Sequence, residues 1–184
     1  LQSFGARKHD PLRIVDFGTG SGCIIISLLR EFPNAYGVAV DISIDALKVA
    51  KKNAEDLGVS DRISFVCSSW NDSILVNGET CFDVVVSNPP YIESNVIHDL
   101  QGEVIHFDPL IALDGGEKGL NPYDFLIPQL KFLLKKAGKA FFEIGKGQEV
   151  EIERLIEKSD ATLSRLSRDM AGIIRVVDIS CGDK

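Results

Sequence analysis

The chain has 184 residues, of which 45% are hydrophobic, enough for one core and within the range of a single domain. Its 27 acidic and 20 basic residues give a formal net charge of -7, and charge of that sign repels a phosphate backbone, which argues against DNA or RNA as a direct partner. No apolar run approaches the roughly eighteen residues of a membrane span, and residues 1–10 are too polar for a signal peptide, so a cytoplasmic location is expected.

Arg13-Ile14-Val15 reads as a strand, Asp16-Phe17-Gly18-Thr19-Gly20-Ser21-Gly22 as a glycine turn, and Cys23-Ile24-Ile25-Ile26-Ser27-Leu28-Leu29-Arg30 as a buried helix. Strand, glycine turn and helix form the nucleotide-binding entry of a Rossmann-like sheet. The dinucleotide fingerprint wants a third glycine three residues after the second. That position holds Cys23, and the third glycine stands at Gly22. Glycines let the backbone run close beneath a ligand without having to cradle a phosphate. S-adenosylmethionine, which has no phosphate, fits this turn better than NAD does.

Tyr36-Gly37-Val38-Ala39-Val40-Asp41 reads as a second strand. Asp41 follows the glycines at about the twenty-residue interval of a ribose-binding carboxylate, although an acid there can also cap the next helix, expected over residues 44–57. Residues 62–67 make a third strand. At its exit stands Trp70, the only tryptophan, which either flanks an adenine ring or is partly buried packing.

The apolar run Phe82-Asp83-Val84-Val85-Val86-Ser87 is a fourth strand, and Asn88-Pro89-Pro90-Tyr91 follows at its carboxyl end, where an open α/β sheet does its chemistry. Two prolines fix two φ angles and remove two donors, leaving stiff, outward carbonyl acceptors. Asn88 adds a side-chain acceptor and Tyr91 a flat ring, a set suited to a planar, uncharged NH2 group. The alternative is a proline-rich strand exit whose tyrosine covers the end of the sheet.

Residues 93–121 are too long for a plain connection and read as a functional loop over the site, with Gly115, Gly116 and Gly119 expected to let it move. A helix is expected over residues 123–136, with Lys131, Lys135 and Lys136 on a solvated face, then a strand over 138–144 and a helix over 148–158. Strands over 161–167 and 173–179, with no helix between them, suggest a hairpin. The cysteines Cys23, Cys67, Cys81 and Cys181 and the histidines His9, His98 and His106 show no ligand spacing, so reduced thiols and no metal site are expected.

The chain resembles a class I S-adenosylmethionine-dependent methyltransferase, and within that class the PrmC/HemK family of release-factor glutamine methyltransferases. The residues that carry this are those of the glycine turn, Val40-Asp41-Ile42-Ser43, Ser87-Asn88-Pro89-Pro90-Tyr91-Ile92, Asp108-Pro109, Gly115-Gly116 with Gly119-Leu120, and Arg168-Asp169 with Gly172 and Arg175. The resemblance implies a mostly parallel seven-stranded sheet with an antiparallel last strand and helices on both faces. It places the cofactor on Gly18, Thr19, Gly20, Ser21, Gly22, Asp41, Trp70 and Asn88, and the substrate amide on Asn88, Pro89, Pro90 and Tyr91. The partner implied is a peptide chain release factor, methylated on a glutamine side-chain amide; from the residues themselves Asp108, His106 and Glu143 are the candidate acceptors of the final proton, and the sequence does not choose among them. Relatives usually carry glutamate where Asp108 stands, and they have an N-terminal helical substrate-recognition domain not found in this sequence, which is expected to be a catalytic-domain fragment. The rival functions are an adenine or guanine methyltransferase, which shares the N-P-P-Y element, and a non-catalytic binding module on the same fold. A nicotinamide-dependent oxidoreductase is disfavoured by Cys23.

Overall fold

The computed structural model describes residues 5–72, 74, 82–97 and 110–182. Among them seven strands form one sheet: β1 (Arg13–Phe17), β2 (Tyr36–Asp41), β3 (Ile63–Cys67), β4 (Phe82–Ser87), β5 (Leu134–Glu143), β6 (Ala161–Arg168) and β7 (Ile174–Cys181). The spatial order is β3-β2-β1-β4-β5-β7-β6. The first five strands pair in parallel, and β7 runs antiparallel to both β5 and β6, which is the expected hairpin.

Among the described residues four α-helices cover the sheet: α1 (Cys23–Glu31), α2 (Ile44–Asp56), α3 (Asn121–Leu133) and α4 (Glu149–Glu157). Alternation along the strands sends neighbouring residues to opposite faces. Ile14, Val84 and Val86 therefore meet Ile25, Ile26 and Leu29 of α1 and Ala54 of α2. Val15, Phe17 and Val85 meet Tyr123, Leu126 and Leu130 of α3 and Ile152 of α4 on the other face. Burying each such apolar side chain contributes roughly 1.5–3 kcal/mol, which makes these two layers the main cohesive term. No helix of the described residues is long and apolar enough to cross a membrane.

One boundary differs from expectation. The helix read over residues 123–136 ends at Leu133, and Lys135 and Lys136 belong to β5 rather than to a helical face. Leu134 pairs with Phe82, the register then slips before Lys139 pairs with Val84, and Ala137 takes a φ of 64° within the slip. Lys135 Nζ reaches the Asp83 carboxylate at 2.9 Å. Pairing with β4 has overridden a local sequence with no glycine or proline between Leu133 and Gly138.

Candidate functional site

The glycine turn leaves the end of β1 between the exits of β2 and β4. Gly18, Gly20 and Gly22 have φ values of 68°, 56° and 82°, a conformation that favours glycine. A Cβ on Gly20 would meet no atom within 4 Å, so the space beyond it is open. A Cβ on Gly22 would stand 2.8 Å from Ile26 Cδ1 and 3.2 Å from Ala50 Cβ, so this glycine admits the close packing of α1 and α2.

Hydrogen bonds to neighbouring strands fix the turn. The Thr19 amide donates to the Val40 carbonyl at 2.9 Å, the Gly20 amide to Asp41 Oδ2 at 2.8 Å, and Thr19 Oγ1 to Asp16 Oδ2 at 2.8 Å. Asp41 Oδ1 accepts from the Ser43 amide at 2.8 Å, while the cap of α2 is Ser43, whose hydroxyl accepts from the Ala46 amide at 3.2 Å. Asp41 is thus a half-buried carboxylate that takes one backbone donor on each oxygen and keeps further acceptor capacity toward solvent.

Asp16 is buried, and sequence reasoning missed it as a site residue, quoting it only as the first letter of the turn. Burial pushes its carboxyl up to about 7, against the Thr19 hydroxyl and the Ile25 amide, and the negative Asp41 adds to the rise. Its Oδ1 makes no hydrogen bond of normal geometry among the described residues. The available signal was its place between the apolar residues Val15 and Phe17 of the strand.

The N-P-P-Y turn leaves the adjacent strand. Ser87 Oγ donates to the Phe17 carbonyl at 2.7 Å, locking the exit of β4 to that of β1. A Cβ on Gly18 would lie 4.0 Å from the Asn88 carbonyl oxygen, which shows how near the two turns run. Pro89 is buried, Pro90 and Tyr91 are half-buried, and Asn88 is exposed. Among the described residues no hydrogen bond engages the Asn88 side chain. The Tyr91 hydroxyl faces the Glu143 carboxylate at the end of β5, and burial together with that negative charge raises the phenol's pKa, Arg175 opposing. Tyr91 is therefore a neutral donor near neutral pH. Behind it the Tyr123 hydroxyl donates to the Glu143 carbonyl at 2.6 Å.

The described end of the long loop packs along this turn. The Ile92 amide donates to the Leu113 carbonyl at 3.0 Å and the Gly115 amide to the Ile92 carbonyl at 2.8 Å. A Cβ on Gly115 would stand 2.8 Å from the Pro90 oxygen, and one on Gly119 only 2.2 Å from the Tyr91 oxygen. These glycines serve close approach, where the sequence suggested mobility. Replacing Gly119, whose φ is 66°, by alanine is expected to destabilise by about 2–4 kcal/mol, combining left-handed strain with a backbone clash. Gly58→Ala, with a φ of 69° but no atom within 4 Å, is the control that carries the strain alone and should lose about 1–2 kcal/mol. Thermal unfolding of the two variants separates the terms, and equal losses would refute the close-contact reading.

Trp70 stands at the exit of β3 with a φ of 48°, half-buried, its ring centroid 6.5 Å from that of Phe125 on α3. Part of its surface is thus packing. Among the candidate proton acceptors, Glu143 lies beside the turn, while Asp108 and His106 fall outside the described residues, as do Cys81 and His98. Of the family-like residues near the C-terminus, Asp169 organises the β6–β7 turn. Its Oδ1 accepts from the amides of Ala171 and Ile173 at 2.9 and 3.0 Å, and its Oδ2 lies 3.2 Å from Arg175 Nε.

The sheet thus brings residues 18–22, Asp41 and residues 88–91 to the carboxyl ends of three adjacent strands, the crevice in which open α/β sheets bind ligands. The methyltransferase-domain family matches residues 8–141, and the chain belongs to that family. Among curated relatives, a protein of Bradyrhizobium diazoefficiens named release factor glutamine methyltransferase is 43% identical over 90% of this chain and 54% of its own length. A bifunctional methyltransferase of Rickettsia felis is 40% identical over 94% of this chain and 32% of its own length. The chain spans about half the length, or less, of these relatives. A ribosomal protein L11 methylase of Lactobacillus delbrueckii subsp. bulgaricus has the same fold, with a TM-score of 0.67 at 23% identity, covering 99% of this chain and 76% of that one.

Proposed function

We propose that this chain is the catalytic unit of a methyltransferase that uses S-adenosylmethionine to methylate the side-chain amide nitrogen of a glutamine in a peptide chain release factor, acting in the cytoplasm. The observation that carries this reading is the Asn88 amide, exposed and unengaged by any described residue, on a rigid turn one strand away from an open glycine turn. The 43% identity to a release factor glutamine methyltransferase supports the substrate.

The crevice suits S-adenosylmethionine. Space is open beyond Gly20, and the half-buried Asp41 carboxylate has acceptor capacity for ribose hydroxyls and a charge that favours a cation. In this reading residues 18–22 and Asp41 hold the cofactor, Trp70 flanks its base, and Asn88 borders it. When bound, the cofactor supplies an electrophilic methyl group on a sulfonium.

The chain's own residues handle the acceptor. An amide nitrogen is a weak nucleophile because its lone pair is delocalised into the carbonyl. Asn88 Oδ1 and the Pro89 carbonyl each accept one N–H bond from the glutamine amide, which orients the nitrogen and favours the pyramidal geometry that frees its lone pair. As positive charge develops on that nitrogen, the same two oxygens stabilise it. Pro90 and Tyr91 support the turn, and the Tyr91 ring covers the planar amide. The proton leaves only after the nitrogen is alkylated, so no strong base is needed, and Glu143, whose carboxylate faces Tyr91, can take it.

Labelled S-adenosylmethionine offered in parallel to an unmodified release factor and to tRNA, rRNA and DNA tests the reading. Label is expected on a release-factor glutamine, located by mass mapping. Label on nucleic acid instead would establish a base methyltransferase and sink the protein-substrate reading.

A further inference from the structure

Gln148, just before the first turn of α4, was not singled out by the sequence for any role. Its side-chain amide nonetheless joins three separate segments. Oε1 accepts from the Gly145 amide at 2.8 Å, and Nε2 donates to the Tyr91 carbonyl and to the Gly119 carbonyl, both at 3.1 Å. These segments are the exit of β5, the N-P-P-Y turn and the loop end. Two carbonyls on one side and an N–H on the other allow only one orientation of the amide. Glycines make the approach possible, because a Cβ on Gly145 would stand 2.9 Å from Gln148 Oε1 and one on Gly119 would stand 2.7 Å from Nε2.

The turn is consequently suspended between two anchors. On one side Ser87 Oγ holds the Phe17 carbonyl, and on the other Gln148 Nε2 holds the Tyr91 carbonyl, leaving residues 88–90 stretched between them with two φ angles fixed by proline. We propose that Gln148 is a positioning residue for methyl transfer, an uncharged three-way staple that sets where the Asn88 and Pro89 acceptors stand and ties them to the loop end over the site. This rests on the proposed amide-methylating function. Glutamate has the same length and cannot fill the role when ionised, since it would present a carboxylate to two carbonyl oxygens.

The test compares Gln148→Glu with the uncharged Gln148→Met in the full chain. Three quantities are read: turnover on a release factor, dissociation of S-adenosylmethionine, and amide hydrogen exchange by segment. Both variants are expected to lose roughly 10–100-fold in turnover, as a displacement of under an ångström at an acceptor does, with cofactor affinity held within about threefold. Exchange at Ile92, Gly115 and Asn121 should quicken about tenfold or more, with β1 and β2 unchanged, because loop-end hydrogen bonds open locally once the staple is lost. Lowering the pH should return part of the Gln148→Glu turnover, since the protonated acid regains a donor, and should do nothing for Gln148→Met. Unchanged exchange in these segments, or cofactor affinity falling in step with turnover, would overturn the proposal. Should the unaltered chain transfer no methyl group, the function proposed above falls, and the exchange comparison still decides whether the staple exists.

Discussion

Replacing Asn88 by alanine is expected to lower methyl transfer by about 10²–10³-fold, the effect of removing one preorganised polar group aimed at developing charge. The cost falls on turnover because the side chain is exposed and bonds to no described residue, so the fold does not depend on it. Cofactor binding should change by less than about threefold, since residues 18–22 and Asp41 keep their hydrogen bonds to Val40, Asp16 and one another. The melting temperature should stay within about 2 °C, in the range of a surface substitution. Asn88→Asp sharpens the test. It keeps an acceptor of the same length while adding a charge, and it should retain more turnover than Asn88→Ala. If alanine reduced turnover and cofactor affinity by equal factors, Asn88 would be a cofactor ligand alone, and the acceptor role assigned to it would be wrong.

The part of this site legible in the sequence is the part punctuated by glycine and proline. Residues 18–22 and 88–91 carry their geometry locally, in positive φ values and fixed proline φ angles, so the turn positions and the strands before them were readable without tertiary information. The residues that brace those turns were not. Gln148 lies 57 positions from Tyr91 and 29 from Gly119, and nothing in its neighbours announces a bond to either. Asp16 looks like an ordinary strand-end acid until α1 buries it. At the end of α3, Leu133 and Leu134 are equivalent apolar residues to any periodicity argument, yet one ends a helix and the other begins a strand. Pairing with Phe82 makes that choice. The glycines at 115 and 119 were legible as special but not in which sense, because a residue lacking a Cβ serves motion and close contact equally well.

Asp16 carries the largest predicted effect on stability, and its sign depends on pH. The carboxyl has an ordinary value of 3.8 when unfolded and about 7 when folded, so between those values the folded chain holds a proton that the unfolded chain has released. Stability from this group is therefore full below pH 3.8, declines as pH rises toward 7, and is lost above it. Roughly three pKa units at about 1.4 kcal/mol each give a cost on the order of 4 kcal/mol at pH 8. Asp16→Asn is expected to remove that slope. Its carbonyl can accept from the Ile25 amide while its NH2 group donates to Thr19 Oγ1, preserving shape without the buried charge. Urea unfolding should give nearly equal stabilities for the two chains at pH 4 and a gain of about 2–4 kcal/mol for the variant at pH 8, the lower figure allowing for relaxation around the charge. A pH-independent difference between them would show that Asp16 is ionised throughout and that burial does not raise its pKa. Asp16 Oδ2 holds the Thr19 hydroxyl of the glycine turn, and the asparagine amide keeps a partner there, so above pH 7 the variant should be the more stable chain with its turn intact.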